Sequence, residues 1–572
     1  MPEAAGGPTG RIAAAAIILA AMAAFVFLLP GESFWCMDEG NRYLQTWSLS
    51  RRLEFPPELP YPGSQGLEGT GLAETLRPLP GHYGYMEDGG LYSQYNPLLA
   101  LLAVPFHLTL GQWGIYLPGL LAGVVLVYLL AVATAESGYP FGLRLLLFVL
   151  CTGLPFYMAT FFSNTLALAL AFGSLLLLRR GRTVAAAVLA AAALVLREEM
   201  VLVYPLFLMF LPRRPGTGRL IASVLLAAAV FLALQRLLTG QWLGVHLGAS
   251  GIQQELYASE MSWMEARFYI VRRAFINAFP GFGWEGLALG LALWASWAMR
   301  LATRGRSSRA FAYAGLALSV VPLAAMFVRG LPSLDTVAVQ HPLVIFPVLW
   351  LARPPRRFLY AVGGVVLLMV LLMSPMHTED LSWGFRHGMF LFLLAALFIG
   401  GKPPRSLVCS VLAVGLLSTA ASLSVLTAKR LREQETIDAL RSNGGAVITT
   451  SWEQPQNLAA LMTEGVPIFH ASRARALHGA LQAFSDRQPL VMVRRGNTEA
   501  VLGTAAAAGM ECRLVWSGSP ADLLTDARVF SCRRKQGASP RMGTVVRPGT
   551  VSSTGKCQMP GRGRADKGDK LP

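Results

Sequence analysis

The feature that most constrains this chain is a series of apolar blocks separated by short Arg-rich or Pro-rich breaks. Examples are residues 12–29, 141–155 and 359–373. Blocks approaching twenty apolar residues match the hydrocarbon thickness of a bilayer and predict transmembrane helices. Only 14% of the 572 residues are charged, whereas about a quarter are charged in a typical soluble domain. The pattern excludes an ordinary soluble enzyme and predicts an all-α polytopic membrane protein.

The basic residues lie mostly where these blocks end. The chain carries 49 Lys and Arg against 32 Asp and Glu, a formal net charge of +17. The clusters are Arg179, Arg180 and Arg182; Arg213, Arg214 and Arg219; Arg300, Arg304, Arg306 and Arg309; Arg353, Arg356 and Arg357; Lys402 and Arg405. Cytoplasmic loops retain Lys and Arg. Membrane topology therefore explains the charge, and we expect no nucleic-acid partner.

A cytoplasmic N-terminus gives an alternation of about thirteen spans that places every basic cluster on the cytoplasmic side. The predicted spans lie near 12–29, 113–134, 141–158, 160–178, 183–197, 199–212, 219–238, 283–302, 309–328, 337–352, 357–375, 384–400 and 406–427. Three long segments then lie outside: the first loop 31–112, the loop 239–281 and everything after Lys429. The composition and short loops are typical of a bacterial inner membrane protein.

The composition changes after the predicted transmembrane domain, residues 1–429. Strands are predicted at 446–450, 466–470 and 490–494 with helices between them, which indicates a small extracytoplasmic α/β domain over 430–535. Cys512 and Cys532 can pair in that domain if it lies outside the cytoplasm. The basic tail 536–572 is rich in Gly, Pro and Ser and predicts disorder.

Two adjacent acids, Asp38 and Glu39, follow the first predicted span. One interpretation is a pair of solvated acids at the start of the next helix, where the helix dipole favours negative charge. The other is a carboxylate at the membrane surface that acts as a general base.

A second polar segment runs from Asp88 to Pro97 with the sequence Asp-Gly-Gly-Leu-Tyr-Ser-Gln-Tyr-Asn-Pro, and an apolar stretch follows it. Its aromatic residues are typical of an interfacial belt. Because aromatic faces suit sugar rings, a substrate-binding site is the alternative. The candidate residues for that site are His82, Tyr83, Tyr92 and Tyr95.

These two segments together resemble the integral-membrane GT-C glycosyltransferases, and within them the protein O-mannosyltransferase and aminoarabinose-transferase branch. The resemblance rests on an Asp-Glu pair after the first span and on Gly-x-Tyr-Ser-x-Tyr-x-Pro before an apolar run. Two later segments also resemble that branch: Leu196-Arg197-Glu198-Glu199 and Trp383-Gly384-Phe385-Arg386. The four motifs fall within residues 10–400.

The resemblance implies a GT-C-like fold and a polyprenyl-phosphate sugar donor, with a lipid, glycan or protein acceptor on the outer face of the membrane. Asp38 is then the first choice for the base that deprotonates the acceptor hydroxyl. Glu39 is the second choice or an orienting partner. Family members often carry an acid or a His where this chain has Asn164, so Asn164 is interpreted as a substrate-binding residue.

The anionic lipid phosphate that leaves in such a reaction requires cations. Arg197 and Arg386 lie at predicted outside ends of spans and can bind phosphate bidentately, although simple snorkelling to the interface is the alternative. His341 opens a predicted span and is a further candidate contact. No His, Cys, Asp or Glu spacing indicates a metal site, and a divalent ion shared between the Asp38–Glu39 pair and the donor phosphate stays open.

Two other classes of function compete with an enzyme. A transporter or flippase for a lipid-linked or amphiphilic substrate would place ionisable residues near the bilayer midplane, often in two related halves. Here the acids cluster in outside loops, which disfavours transport. A membrane anchor for the C-terminal domain does not require about thirteen spans.

Overall fold

The computed structural model describes residues 8–67, 72, 75–79, 83–202, 216–242, 261–277, 284–328, 346–372, 388–399, 403–451, 453–518 and 527–535. The helices in these ranges are α1 Pro8–Leu28, α2 Met37–Arg51, α3 Leu98–Leu110, α4 Leu117–Ala133, α5 Phe141–Leu150, α6 Leu154–Met158, α7 Asn164–Arg179, α8 Thr183–Leu196, α9 Thr217–Thr239, α10 Trp263–Ile270, α11 Trp284–Ala302, α12 Gly305–Val328, α13 Arg356–Leu372, α14 Met389–Ala396, α15 Arg405–Asn443, α16 Gln454–Asn457, α17 Ala459–Thr463, α18 Ala474–Ala483 and α19 Thr498–Ala507. The strands are β1 Glu58–Leu59, β2 Gly84–Glu87, β3 Gly90–Ser93, β4 Val447–Thr449, β5 Ile468–His470, β6 Leu490–Arg494, β7 Met510–Ser517 and β8 Ala527–Arg534.

The described residues fall into two compact units. The helical unit takes its residues from 1–31, 96–245 and 263–428, and the sheet unit from 32–95, 246–262 and 429–572. The predicted first loop, 31–112, is therefore divided at residue 95. Its last part forms the apolar helix α3 and belongs to the helical unit, because 98–133 is one continuous hydrophobic stretch.

Five helical segments in the described ranges are long and apolar enough to cross a membrane. They are Thr9–Leu28, Leu98–Ala133, Gly218–Thr239, Gly305–Ala325 and Arg405–Asn443. Three shorter apolar helices, α5, α7 and α8, accompany them. These helices confirm the prediction of a mostly helical, multi-pass membrane protein, and the count of about thirteen spans stays a prediction.

Small side chains let the helices of one hairpin approach closely. In α8, Ala186, Ala187 and Ala190 are at most 1% exposed, and the hydroxyl of Ser174 on α7 donates to the carbonyl of Ala186 at 2.6 Å. Small residues at such interfaces are typical of helix pairs in membranes. Because α7 and α8 form an antiparallel pair, the start of α7 and the end of α8 lie at the same end of the hairpin.

A five-stranded sheet with the order β5-β4-β6-β8-β7 forms the centre of the sheet unit. Its first three strands are parallel, and β8 and β7 add an antiparallel hairpin. The three strands predicted in this region are confirmed. The hairpin was not predicted, and it carries a disulfide between Cys512 and Cys532, which are paired residues in its register.

A small antiparallel sheet with the order β1-β3-β2 lies between α2 and α3 in the chain. Asp88 and Gly89 connect β2 to β3 with φ angles of 49° and 82°. An Asp-Gly pair suits such a turn because both central residues adopt positive φ. The polar segment predicted to bind substrate is therefore the second half of a hairpin, and Tyr95 follows directly after β3.

Candidate functional site: the Asp38 and Arg197 clusters

The acids Asp38 and Glu39 lie in the first turn of α2. The position agrees with the interpretation that they favour a helix N-terminus, because the helix dipole stabilises negative charge there. Their burial does not agree with the interpretation that both acids are solvated, since Asp38 is 3% exposed and Glu39 is fully buried. Carboxylates are rarely buried without specific partners, and each of these two has its own.

Tyr95 is the partner of Asp38, and its hydroxyl donates a hydrogen bond to Asp38 Oδ1. The guanidinium of Arg42 lies 4.9 Å from the centre of the Tyr95 ring. Burial, and then the Asp38 carboxylate, raise the pKa of Tyr95 well above its ordinary value. Tyr95 therefore stays protonated at neutral pH and remains a hydrogen-bond donor to the carboxylate.

One face of α2 binds the backbone at Tyr83 and at Tyr95 and so positions both aromatic residues. Asn41 Nδ2 donates to the carbonyl of Tyr83 at 3.1 Å, and Gln45 Nε2 donates to the carbonyl of Tyr95 at 2.7 Å. Together with Asp38, these residues follow the i, i+3, i+7 spacing of a single helical face. The rings of Tyr83 and Tyr95 have centroids 6.1 Å apart. We call Asp38, Arg42, Tyr83 and Tyr95 the Asp38 cluster.

Glu39 has different partners in the sheet unit. Its Oε2 accepts a hydrogen bond from the backbone N–H of Trp35 at 2.8 Å and lies 3.4 Å from Arg430 Nη2. Both side chains of that ion pair are fully buried. Next to it, Lys429 donates to Glu433 Oε1 at 3.0 Å and to the carbonyl of Phe34 at 3.2 Å. The first turn of α2 is thus fixed to α15 by buried charges.

In the helical unit, Arg197, Asn164 and Glu199 form a second group of contacting side chains. We call this group the Arg197 cluster. Arg197 Nη2 donates to Asn164 Oδ1 at 2.6 Å, and Arg197 Nη1 lies 3.4 Å from Glu199 Oε1. The antiparallel α7–α8 hairpin brings these residues together from its open end. Burial, and then the neighbouring Glu199, raise the pKa of Glu198 to about 7.

The structure does not bring every predicted site residue into these clusters. Tyr92 pairs across the hairpin with Tyr85, with ring centroids 5.5 Å apart, rather than with the Asp38 cluster. His82, His341 and Arg386 lie outside the described residues. In the part of the chain that the structure describes, no group of three His, Cys, Asp or Glu residues could hold a metal ion.

Two charged residues near Asp38 and Glu39, namely Arg42 and Arg430, were not predicted from the sequence. Arg42 lies four residues after Asp38 on α2, and this i, i+4 spacing of opposite charges is a signal that could have identified it. Arg430 pairs with Glu39 across 391 residues of sequence. No local pattern reports a contact of that separation.

No protein-family model matches the chain, and no curated protein matches it. Solved structures that are similar include the aminoarabinose transferase ArnT from Cupriavidus metallidurans in the apo state (12% identity, TM-score 0.42, 92% of this chain and 98% of that chain). ArnT bound to undecaprenyl phosphate is also similar (12%, 0.41, 94% and 100%). A third is the archaeal oligosaccharyltransferase AglB from Archaeoglobus fulgidus with an inhibitory peptide and a dolichol-phosphate (12%, 0.40, 93% and 75%). All three are structures of GT-C glycosyltransferases, the group that the sequence motifs resemble.

Proposed function

We propose that this chain is a glycosyltransferase that moves a sugar from a polyprenyl-phosphate donor to an extracytoplasmic acceptor, with Asp38 as the general base. The observation that carries the proposal is the contact between two separate sequence motifs. Asp38 from the acidic pair and Tyr95 from the Tyr-Ser-Gln-Tyr segment are 57 residues apart in sequence and share a hydrogen bond. Two of the four motifs of the resemblance therefore contribute to one group of side chains.

The reaction requires a proton acceptor beside the attacking hydroxyl. As the acceptor oxygen forms its bond to the anomeric carbon, its proton moves to Asp38, and the bond from that carbon to the lipid phosphate oxygen breaks. The polyprenyl phosphate leaves as an anion. A carboxylate can accept about four hydrogen bonds, so the bond from Tyr95 orients Asp38 without saturating it.

Glu39 fits the role of an orienting partner better than the role of a second base. It is fully buried, and it binds the Trp35 N–H and Arg430 in the sheet unit. These partners fix the first turn of α2. The neighbouring Asp38 is thereby held at the angle at which it meets Tyr95.

Arg197 is the described candidate for binding the donor phosphate, and Arg386 and His341 are proposed beside it from sequence alone. Arg197 is 7% exposed and is held by Asn164 and Glu199, which is unlike a side chain that extends freely to the interface. A guanidinium offers five N–H donors in a planar fork, and phosphate oxygens match that geometry. Asn164 then orients Arg197 instead of supplying an acid.

The aromatic residues supply the surroundings of the sugar or the acceptor in this proposal. Tyr83 and Tyr95 lie in the Asp38 cluster, whereas Tyr92 and His82 are proposed from sequence alone. The disulfide between Cys512 and Cys532 supports an extracytoplasmic sheet unit, because disulfides persist in oxidising compartments. We propose a bacterial inner membrane location with a cytoplasmic N-terminus.

The proposal is tested with purified full-length protein in liposomes. Labelled polyprenyl-phosphate sugars and crude acceptor lipids are supplied, and release of polyprenyl phosphate is followed. Replacement of Asp38 by Asn removes the base while nearly preserving its shape. We expect Asp38→Asn to lower the release rate about 10²- to 10⁴-fold, the usual contribution of a general base.

Asp486→Asn is the matched control, since Asp486 is an exposed carboxylate of the sheet unit. It should release polyprenyl phosphate at the wild-type rate. Equal rates for Asp38→Asn and wild type would keep the enzyme class and remove Asp38 as the base. Movement of labelled lipid across the bilayer, with no release from any donor, would contradict the proposal and favour a flippase.

A further inference from the structure

Arg300 is a buried cation in the last turn of α11. Arg300 is only 4% exposed, and its Nε donates a hydrogen bond to the carbonyl of Trp350 at 2.5 Å. Its Nη1 is buried and has no acceptor among the described residues. A buried charged group that lacks hydrogen-bond acceptors is unfavourable. The Nη1 of this guanidinium therefore requires a further acceptor.

Arg353 adds a second guanidinium beside the first. Arg353 Nη2 donates to the hydroxyl of Ser308 at 2.8 Å, and that hydroxyl donates to the carbonyl of Arg300 at 2.9 Å. The positive charge of Arg353 acts on Arg300. Two like charges repel each other, and an anion beside them compensates that repulsion.

The described surroundings supply donors and positive charge but no counter-charge. The indole Nε1 of Trp350 is likewise buried without an acceptor within the described ranges. Neither Arg300 nor Arg353 has an ion pair with a described carboxylate. The segments around the end of α11 and the starts of α12 and α13 carry further arginines: Arg304, Arg306, Arg309, Arg356 and Arg357.

Phosphate is the anion that these residues fit best. A guanidinium binds phosphate oxygens through two parallel N–H bonds, and Ser308 places a hydroxyl between the two arginines. The source that the position favours is a lipid. The helix α12, which is long and apolar enough to cross a membrane, begins here, and the neighbouring α11 and α13 expose large side chains such as Leu291, Tyr360 and Leu367 at 51%, 75% and 60%. Basic sites at the ends of membrane helices bind anionic headgroups.

We propose that Arg300, Ser308 and Arg353 form a binding site for a phosphate group, supplied by the headgroup of an anionic phospholipid. The inference does not rest on the proposed sugar transfer, since none of these residues belongs to the Asp38 or the Arg197 cluster. It gives Arg300 and Arg353 a specific ligand in addition to their effect on topology.

The test uses the purified full chain in detergent, and lipid retention is measured by native mass spectrometry. Phosphatidylglycerol, phosphatidylcholine and inorganic phosphate are titrated separately. Arg353→Gln is the test variant. Because Arg353 is exposed, the protein should still fold after this substitution. We expect wild type to retain phosphatidylglycerol over phosphatidylcholine, and Arg353→Gln to weaken that binding at least about fivefold, the effect of one cation near a headgroup.

Arg306→Gln is the matched control, since it removes one exposed arginine from the start of α12 and should leave retention unchanged. Inorganic phosphate that competes with the lipid, and binds equally well alone, would support the site and assign it to a soluble anion. Equal weakening by Arg353→Gln and Arg306→Gln would overturn the proposal, because general surface charge would then explain the binding. Wild type that binds neither phosphatidylglycerol nor phosphate would overturn it as well.

Discussion

Asp38 and Glu39 are neighbours in the chain, but their side chains contact different parts of the sheet unit. Successive side chains on an α-helix are turned by about 100°. Asp38 therefore meets Tyr95, while Glu39 meets Arg430 and the Trp35 N–H. One acid lies beside aromatic residues that we propose to bind substrate, and the other secures the helix that carries both.

The buried pair of Glu39 and Arg430 gives a stability prediction at this scale. Arg430→Met leaves the Glu39 charge buried without its partner, which costs about 3–5 kcal/mol of unfolding free energy. The double variant Glu39→Gln with Arg430→Met removes both charges and should recover most of that loss. Thermal unfolding of the purified variants measures both effects.

Arg441→Met is the control on the same helix. Arg441 pairs with Glu464 at 2.5 Å, but both side chains are 38% exposed, so its loss should cost no more than about 1 kcal/mol. If Arg430→Met and Arg441→Met unfold alike, the buried pair does not secure α2. The motif identified Asp38 from sequence, whereas Arg430 comes soon after the predicted span 406–427 and resembles the other basic residues at the ends of predicted spans.

At the scale of elements, α2 is the component that links the site to the fold. Gly40 follows the two acids, and a Cβ at this position would overlap the backbone oxygen of Gln456 on α16. Only glycine permits this approach, because any side chain would push the two helices apart. The close packing of α2 on α16 therefore contributes to the position of Asp38.

Gly40→Ala tests that packing directly. We expect a loss of about 1–3 kcal/mol of unfolding free energy from overpacking, together with slower release of polyprenyl phosphate because Asp38 is displaced. Gly503→Ala on α19 is the control, since nothing lies within 4 Å of its added Cβ. It should stabilise the protein by up to about 1 kcal/mol. Identical behaviour of the two variants would show that α2 tolerates the shift.

The elements that sequence predicted and the elements that it missed differ in their physical basis. Strands β4, β5 and β6 are short, buried apolar runs, which stand out from polar neighbours. The hairpin of β7 and β8 has arginines and a glutamate among its apolar residues and lies at one side of the sheet. Its pairing depends on β6, a partner that local composition does not reveal.

For the molecule as a whole, hydrophobic blocks predicted the membrane character well because each block is set by bilayer thickness. Five described segments meet that length. Sidedness rests on the +17 net charge and its distribution between blocks, and it stays a prediction with the span count. The catalytic proposal depends on contacts between distant segments, which is why the sequence suggested its residues but not their arrangement.

The measurement that tests the central claim most directly is a double-mutant cycle between Asp38 and Tyr95. Rates of polyprenyl phosphate release are compared for wild type, Asp38→Asn, Tyr95→Phe and the double variant in the same liposomes. Because Tyr95 acts through Asp38, we expect each single variant to be slowed and the double variant to be no slower than Asp38→Asn alone. Effects that multiply in the double variant would contradict the account, since the two residues would then act independently.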